Sequence, residues 1–310
     1  MKIVFLDAKT IGKDIDLTEF NKLGKVVKYD ASTDEVVPER IVDADVIVTN
    51  KVKINVKTVE NAKNLKLVCV TATGTDNLDK DYLDERGIGW RNVAGYSTNS
   101  VAQHTFSMLF YLLMKSRYYD DYVKTDVYVN SDIFTHINEK FHELDGKTWG
   151  IIGLGAIGRK VADIAKAFGC RVVYYSTSGK NSNPDYEQVD FETLLTTSDI
   201  VSIHAPLTDE TLNLIDASAL EKMKTSAILL NVGRGPIINE EALANALNNN
   251  MIAAAGLDVL TIEPMCENNP LNQIKDSKKL FITPHIAWAS VEARTHLMKL
   301  VLNNIVTYFE

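Results

Sequence analysis

Residues 149–169 read WGIIGLGAIGRKVADIAKAFG: an apolar run, a glycine turn, then a helical pattern. Gly153, Gly155 and Gly158 stand in G-x-G-x-x-G order, with Ala156 and Ile157 between the last two. The first glycine permits a tight bend and the second lets the backbone approach a pyrophosphate. The third lets the helix pack closely on the strand, and the helix N-terminus faces the phosphates. A bare glycine pattern is weak evidence, because glycines punctuate many loops. The strand–turn–helix setting makes this one a dinucleotide site.

The next strand, GCRVVYYSTSGK (169–180), runs out into a loop. An acidic residue is expected at its tip, where it would accept hydrogen bonds from the adenosine ribose and repel a 2′-phosphate. Ser176 stands there instead. It accepts one hydrogen bond and removes the repulsion. Thr177, Ser178 and Lys180 follow, Lys180 as a point charge for a phosphate, but no arginine clamp is present. The expectation is NAD, with NADP as the alternative.

Outward from this motif, short β-rich runs alternate with helical patterns. KIVFLD, KVVKYD, DVIVTN and KLVCVTATG precede it; RVVYYS, DIVSIHAP, SAILLNV, IAAAGLDV and KLFITPH follow. That alternation predicts two α/β units in series, each with a parallel sheet covered by helices. A long helical pattern runs from about Ser97 to Tyr119, followed by a polar, irregular stretch through Lys140. The C-terminal segment repeats Ala293, Leu297, Leu300, Val301 and Ile305 at helical spacing. Periodicity does not say which unit that last helix joins.

The 310-residue chain is 45% hydrophobic and 24% charged, the composition of a soluble two-domain protein. Its net charge of −8 argues against nucleic-acid or anionic-membrane partners. The longest apolar stretch is broken by Gln103, His104, Thr105 and Ser107, and the N-terminus lacks the pattern of a signal peptide. Cys69, Cys170 and Cys266 are scattered without metal spacing and read as thiols in a reducing compartment. A cytoplasmic protein without a metal site is expected.

Three strand-end stretches carry chemistry: ILLNVGRGPIIN with Arg234, AAGLDVLTIEP with Asp258 and Glu263, and KLFITPHIAW with His285. These residues resemble the set of the D-isomer-specific 2-hydroxyacid dehydrogenases, and the reduction of a 2-keto acid that this implies requires a hydride, a proton for the developing alkoxide and a cation for the carboxylate. His285 suits the proton transfer. Glu263 would fix its tautomer, and Arg234 would orient and polarise the substrate. With the glycine motif and HAPLTDETLNLID, this pattern resembles the D-isomer-specific 2-hydroxyacid dehydrogenases over essentially the whole chain. YSTNSVAQHTFSMLF and HIAWAS are most similar to the glycerate dehydrogenase (hydroxypyruvate reductase) branch. Gln103 stands where many relatives carry Glu, and Ala287 and Trp288 where many carry Gly.

The resemblance implies a Rossmann-type NAD(P)-binding domain (99–285) inserted into a flavodoxin-like substrate domain (1–98 and 286–310), both doubly wound parallel sheets, with the active site in the cleft between them. It implies that Thr98, His204, Ala205 and Pro206 border the dinucleotide and that Val232 and Asp258 approach the nicotinamide, Asp258 through its carboxamide. Backbone N–H groups of Gly74 and Thr75, in TATGTDNLD, would receive the substrate carboxylate. Asn50, Lys51 and Trp288 would line the substrate pocket. Hydroxypyruvate/D-glycerate is the expected pair, with glyoxylate as a further substrate. D-Lactate or another 2-keto acid is the alternative, and a non-catalytic dinucleotide sensor the alternative of another class. A homodimer is implied through about Val101–Glu143, whose SRYYDDYVKTDVYV is rich in tyrosine. His104 and His296 are read as packing or exposed residues.

Overall fold

The computed structural model describes residues 1–179 and 182–310. The chain divides into two compact units, one of Met1–Ser97 with Trp288–Glu310, the other Thr98–Ala287.

The first unit is built on five parallel strands, β1 (Lys2–Phe5), β2 (Lys25–Lys28), β3 (Val46–Thr49), β4 (Leu67–Val70) and β5 (Gly89–Arg91), in the order β2-β1-β3-β4-β5. Strands β3 and β4 are buried at every position, the pattern of a sheet covered on both faces. The second unit carries seven parallel strands: β6 (Thr148–Ile152), β7 (Arg171–Tyr175), β8 (Glu187–Gln188), β9 (Ile200–Ile203), β10 (Ile228–Asn231), β11 (Ala254–Leu257) and β12 (Leu280–Ile282). Their order is β12-β11-β10-β9-β6-β7-β8, so the connections reverse direction between β6 and β9. Ligands bind open α/β sheets at the strand carboxyl ends beside such a reversal.

The three longest helices among the described residues are α1 (Thr98–Leu113), α2 (Ala156–Ala167) and α3 (Val291–Phe309). Helix α1 buries Ala102, Phe106, Met108, Leu109 and Leu112 in a core shared with Trp149, Ile151 and Leu230. Its Phe106 ring lies 4.8 Å from that of Trp149. The helix is shorter than its sequence pattern predicts. Lys115 adopts φ 53°, and a separate helix, Ser116–Val123, starts beyond it. The stretch expected to be irregular therefore begins with ordered helix, and a further turn spans Asp126–Val129. Helix α3 buries Ala293, Leu297, Met298, Val301 and Ile305 against Ile3, Phe5 and Leu67 of the first unit. Each fully buried aliphatic side chain contributes about 1.5–3 kcal/mol. Leu300 is only partly covered, and Met298 fills the place expected for it. No described helix is long and apolar enough to cross a membrane.

All three cysteines are unpaired: Cys69 and Cys170 are buried and Cys266 half-buried. Burial pushes the Cys69 thiol up to about 12 and that of Cys170 to about 11.

Candidate active site

Three adjacent strands of the second unit, β7, β6 and β9, end side by side, and their last residues build one surface. After β6 the chain turns at Gly153 with φ +89°, where a Cβ would lie 2.7 Å from the Ala205 nitrogen. A Cβ on Gly158 would meet the Gly153 carbonyl oxygen at 2.4 Å, so only glycine lets α2 sit this close to the turn. Gly155 differs, because a Cβ there would meet nothing within 4 Å. The second glycine thus faces open space, as it must if a phosphate is to approach the backbone. The helices Phe191–Thr197, Ala217–Lys222 and Glu240–Asn248 are each capped by a side chain, from Asp190, Asp216 and Asn239. Helix α2 begins on Gly155 with no side-chain cap, leaving its first N–H groups to an outside acceptor.

Two buried polar atoms at the ends of the flanking strands support the same reading. Ser176 Oγ, at the end of β7, and His204 Nδ1, at the end of β9, are both shut off from solvent without a hydrogen-bond partner among the described residues. Trp149 Nε1 donates to Ser202 Oγ at 2.8 Å, and Ser202 Oγ lies 3.0 Å from His204 Nε2. When the Ser202 hydroxyl gives its proton to Nε2, the His204 N–H sits on the unpartnered Nδ1. Burial pulls the imidazole down to about 3, so it is neutral at physiological pH. Ser176, Thr177, Ser178 and Gly179 line a cavity of about 670 Å³ together with Gln188 and Asp190. Ala205 is buried and Pro206 exposed beside it; Thr98 is half-buried at the start of α1, and Val232 half-buried after β10. Lys180 lies outside the described residues. The residues present fit a dinucleotide: a glycine cradle, a helix end without a side-chain cap and two buried polar atoms that find no partner among the described residues.

The catalytic candidates stand at the ends of β10, β11 and β12. Arg234 follows β10 on a turn held by buried Asn231, whose Oδ1 accepts from Gly233 N at 3.0 Å while its Nδ2 donates to Arg234 O at 2.9 Å. Gly235 lets this turn press against Leu260, since a Cβ would fall 2.0 Å from the Leu260 carbonyl carbon. Leu260 N in turn donates to Glu263 Oε1 at 3.0 Å. Glu263 Oε2 lies 2.8 Å from His285 Nδ1. A carboxylate only accepts, so Nδ1 carries its hydrogen toward Glu263, and proton exchange with a substrate would run through Nε2. The turn bearing Arg234 and the loop bearing Glu263 are therefore in direct contact, and Glu263 orients the histidine.

His285 has φ 55°, a left-handed conformation that a non-glycine residue holds only where its surroundings enforce it. Its N–H is shared between Asp258 O at 2.8 Å and Thr283 O at 2.9 Å. The Asp258 carboxylate, buried at the end of β11, accepts from Thr283 Oγ1 at 2.6 Å and from the backbone N–H groups of Ile286 and Ala287, each at 2.9 Å. His104, read from sequence as a packing or exposed residue, is half-buried with its Nε2 2.9 Å from Thr283 Oγ1. The contacts of Asn231, Thr283 and His104 carry no signal in the sequence, because only the fold brings these partners together. His296 is exposed, and no His, Cys, Asp and Glu grouping among the described residues suits a metal.

A family model described as D-isomer specific 2-hydroxyacid dehydrogenase, NAD binding domain, matches residues 106–287. The chain belongs to the D-isomer-specific 2-hydroxyacid dehydrogenase family. Two curated relatives in it are the glycerate dehydrogenase of Methylorubrum extorquens and the hydroxypyruvate reductase of Blautia hydrogenotrophica. Both are 36% identical, over 99% of this chain and 96% of the first relative, and over 100% and 97% for the second. A solved structure of an acyclic imino acid reductase in complex with NADPH and D-Arg superposes with a TM-score of 0.87 at 30% identity, covering 100% of this chain and 97% of that one. This family member is thus an NAD(P)-dependent oxidoreductase.

The remaining candidates belong to the first unit. The loop after β4 is pinned by Thr73 Oγ1 donating to Val93 O at 3.1 Å and by Asn92 Nδ2 donating to Thr73 O at 2.6 Å. Gly74 and Thr75 follow, both half-buried. After β3, the backbone N–H groups of Asn50 and Lys51 are consumed by buried Asp7, which leaves their side chains for any further contact. Trp288 packs edge-on to Tyr96, ring centroids 6.3 Å apart.

Proposed function

We propose that this dehydrogenase interconverts hydroxypyruvate and D-glycerate, with glyoxylate as a smaller substrate, using NAD in preference to NADP. The 2.8 Å pair of His285 Nδ1 and Glu263 carries the reading, because it sets Nε2 to deliver a proton to a substrate oxygen. The reduced nicotinamide, when bound, supplies the hydride. Arg234 holds the substrate carboxylate and polarises the carbonyl, and His285 protonates the oxygen as negative charge develops. Thr98 and Val232 serve the cofactor. In the oxidative direction His285 takes the hydroxyl proton back.

Steady-state rates on a panel of 2-keto acids test the substrate. Hydroxypyruvate should lead, and a preference for pyruvate of tenfold or more in kcat/KM overturns the choice. His285→Ala should lower kcat by at least ~10²-fold; near-normal turnover in a folded variant removes its role.

The chain acts as a homodimer in the cytoplasm. Val129, Phe134 and Ile137 are 79%, 90% and 76% exposed in the segment after α1, a run of apolar surface that a second copy would cover. The unpaired thiols fit a reducing compartment. Sedimentation at micromolar concentration should show a dimer, and a single monomeric species rules it out.

A further inference from the structure

We infer that His104 is a positioning residue for His285, acting through Thr283 and Asp258; this rests on the reading of His285 as the proton donor. Thr283 has one hydroxyl hydrogen, and Asp258 Oδ1 receives it at 2.6 Å. Thr283 Oγ1 must then accept from His104 Nε2 at 2.9 Å, so that nitrogen carries a hydrogen. The same Nε2 lies 3.5 Å from Asp258 Oδ1 and faces the oxygen that also accepts Ile286 N–H. Thr283 precedes His285 by two residues, and Ile286 and Ala287 follow it directly. The N–H of His104 therefore fixes the rotamer of Thr283, Thr283 fixes the Asp258 carboxylate, and that carboxylate clamps the backbone just past His285.

A second contact from the same helix brackets the segment. Ser100 Oγ, one turn before His104 on α1, donates to Ala287 O at 2.6 Å. Helix α1 is anchored in the core by Phe106 and Met108, so both contacts come from a rigid element. The arrangement accounts for how His285 is held at φ 55° with its ring against Glu263. Loss of the His104 donor leaves Thr283 free to rotate, and the histidine loses its fixed aim while the dinucleotide surface at β6, β7 and β9 is untouched.

The required group is an N–H at the position of Nε2. Glutamine places an amide N–H close to that point, and leucine fills similar volume without a donor. His104→Leu should lower kcat about tenfold, with KM for the keto acid and the NADH dissociation constant (by fluorescence titration) changed less than threefold. His104→Gln should recover kcat to within threefold of the parent. Thr283→Val cuts the same link from its other end, and the double variant H104L/T283V should be no slower than the worse single one. A merely structural histidine would not give the glutamine rescue. The inference is overturned if folded H104L keeps kcat within twofold, or if H104Q is as slow as H104L. Should H104L fail to fold, H104Q and T283V decide by the same criteria: H104Q within threefold and T283V about tenfold slower support it, and any other pair overturns it. His285→Ala measured alongside separates the two readings. If it retains turnover, the proton-donor reading fails; if it is inactive while H104L is normal, only the role of His104 fails.

Discussion

The carboxylate of Asp7 receives the backbone N–H of Asn50 on both its oxygens, each at 2.9 Å. It also accepts from Lys51 N at 2.8 Å and from Thr49 Oγ1 at 3.2 Å, so the end of β1 holds the loop that leaves β3. Burial raises the Asp7 pKa above its ordinary value despite these bonds. Asp7→Ala strands buried N–H donors and should cost about 1–3 kcal/mol. Urea unfolding of the two proteins checks this; equal midpoints would show that the loop finds other acceptors.

His204 predicts a pH dependence of stability. In the unfolded chain its imidazole titrates near its ordinary value of 6.5, but in the fold only at about 3. Between those values the unfolded state binds one more proton, so stability is present above pH 6.5 and is lost as pH falls. At pH 5.0 the loss should be roughly 2 kcal/mol relative to neutral pH. In His204→Asn this contribution disappears. Denaturant midpoints at pH 7.5 and 5.0 for both proteins measure the difference, and parallel pH responses would refute it.

The three glycines of the phosphate loop should respond differently to alanine. Gly155→Ala meets no protein atom, so the melting temperature should stay within about 2 °C while NADH affinity drops tenfold or more. Gly158→Ala forces α2 away from the Gly153 carbonyl and should lower both stability and affinity. Thermal melts paired with NADH fluorescence titrations read the contrast. Unchanged affinity in Gly155→Ala would mean that the cofactor phosphates do not lie over this turn.

Ser176 is the position at which the choice between NADH and NADPH can be tested. Ser176→Asp restores a carboxylate at the end of β7, where it accepts from ribose hydroxyls and repels a 2′-phosphate. The ratio of NADH to NADPH dissociation constants should shift at least tenfold toward NADH. An unshifted ratio would place discrimination elsewhere in the loop.

Much of this was legible in the sequence because it depends on local pattern. The glycine loop, Arg234, Glu263 and His285 each sit where an apolar run stops, and a run of that kind marks a strand end in any α/β sheet. What could not be read was contact across the chain. His104 and Thr283 are 179 residues apart and Asp7 and Asn50 are 43 apart, and no periodicity links such pairs. The break at Lys115 escaped for another reason, since neither proline nor glycine marks it.

The cysteines give the molecule an unplanned convenience. With the thiols of Cys69 and Cys170 buried and pushed up to about 12 and about 11, a maleimide dye at neutral pH should find one address, Cys266. That residue lies three positions beyond Glu263, on the same loop as the carboxylate that steers His285. The wild-type chain thus comes with its own attachment point for a probe beside the acid–base pair, and no engineered handle is required to watch that loop during turnover.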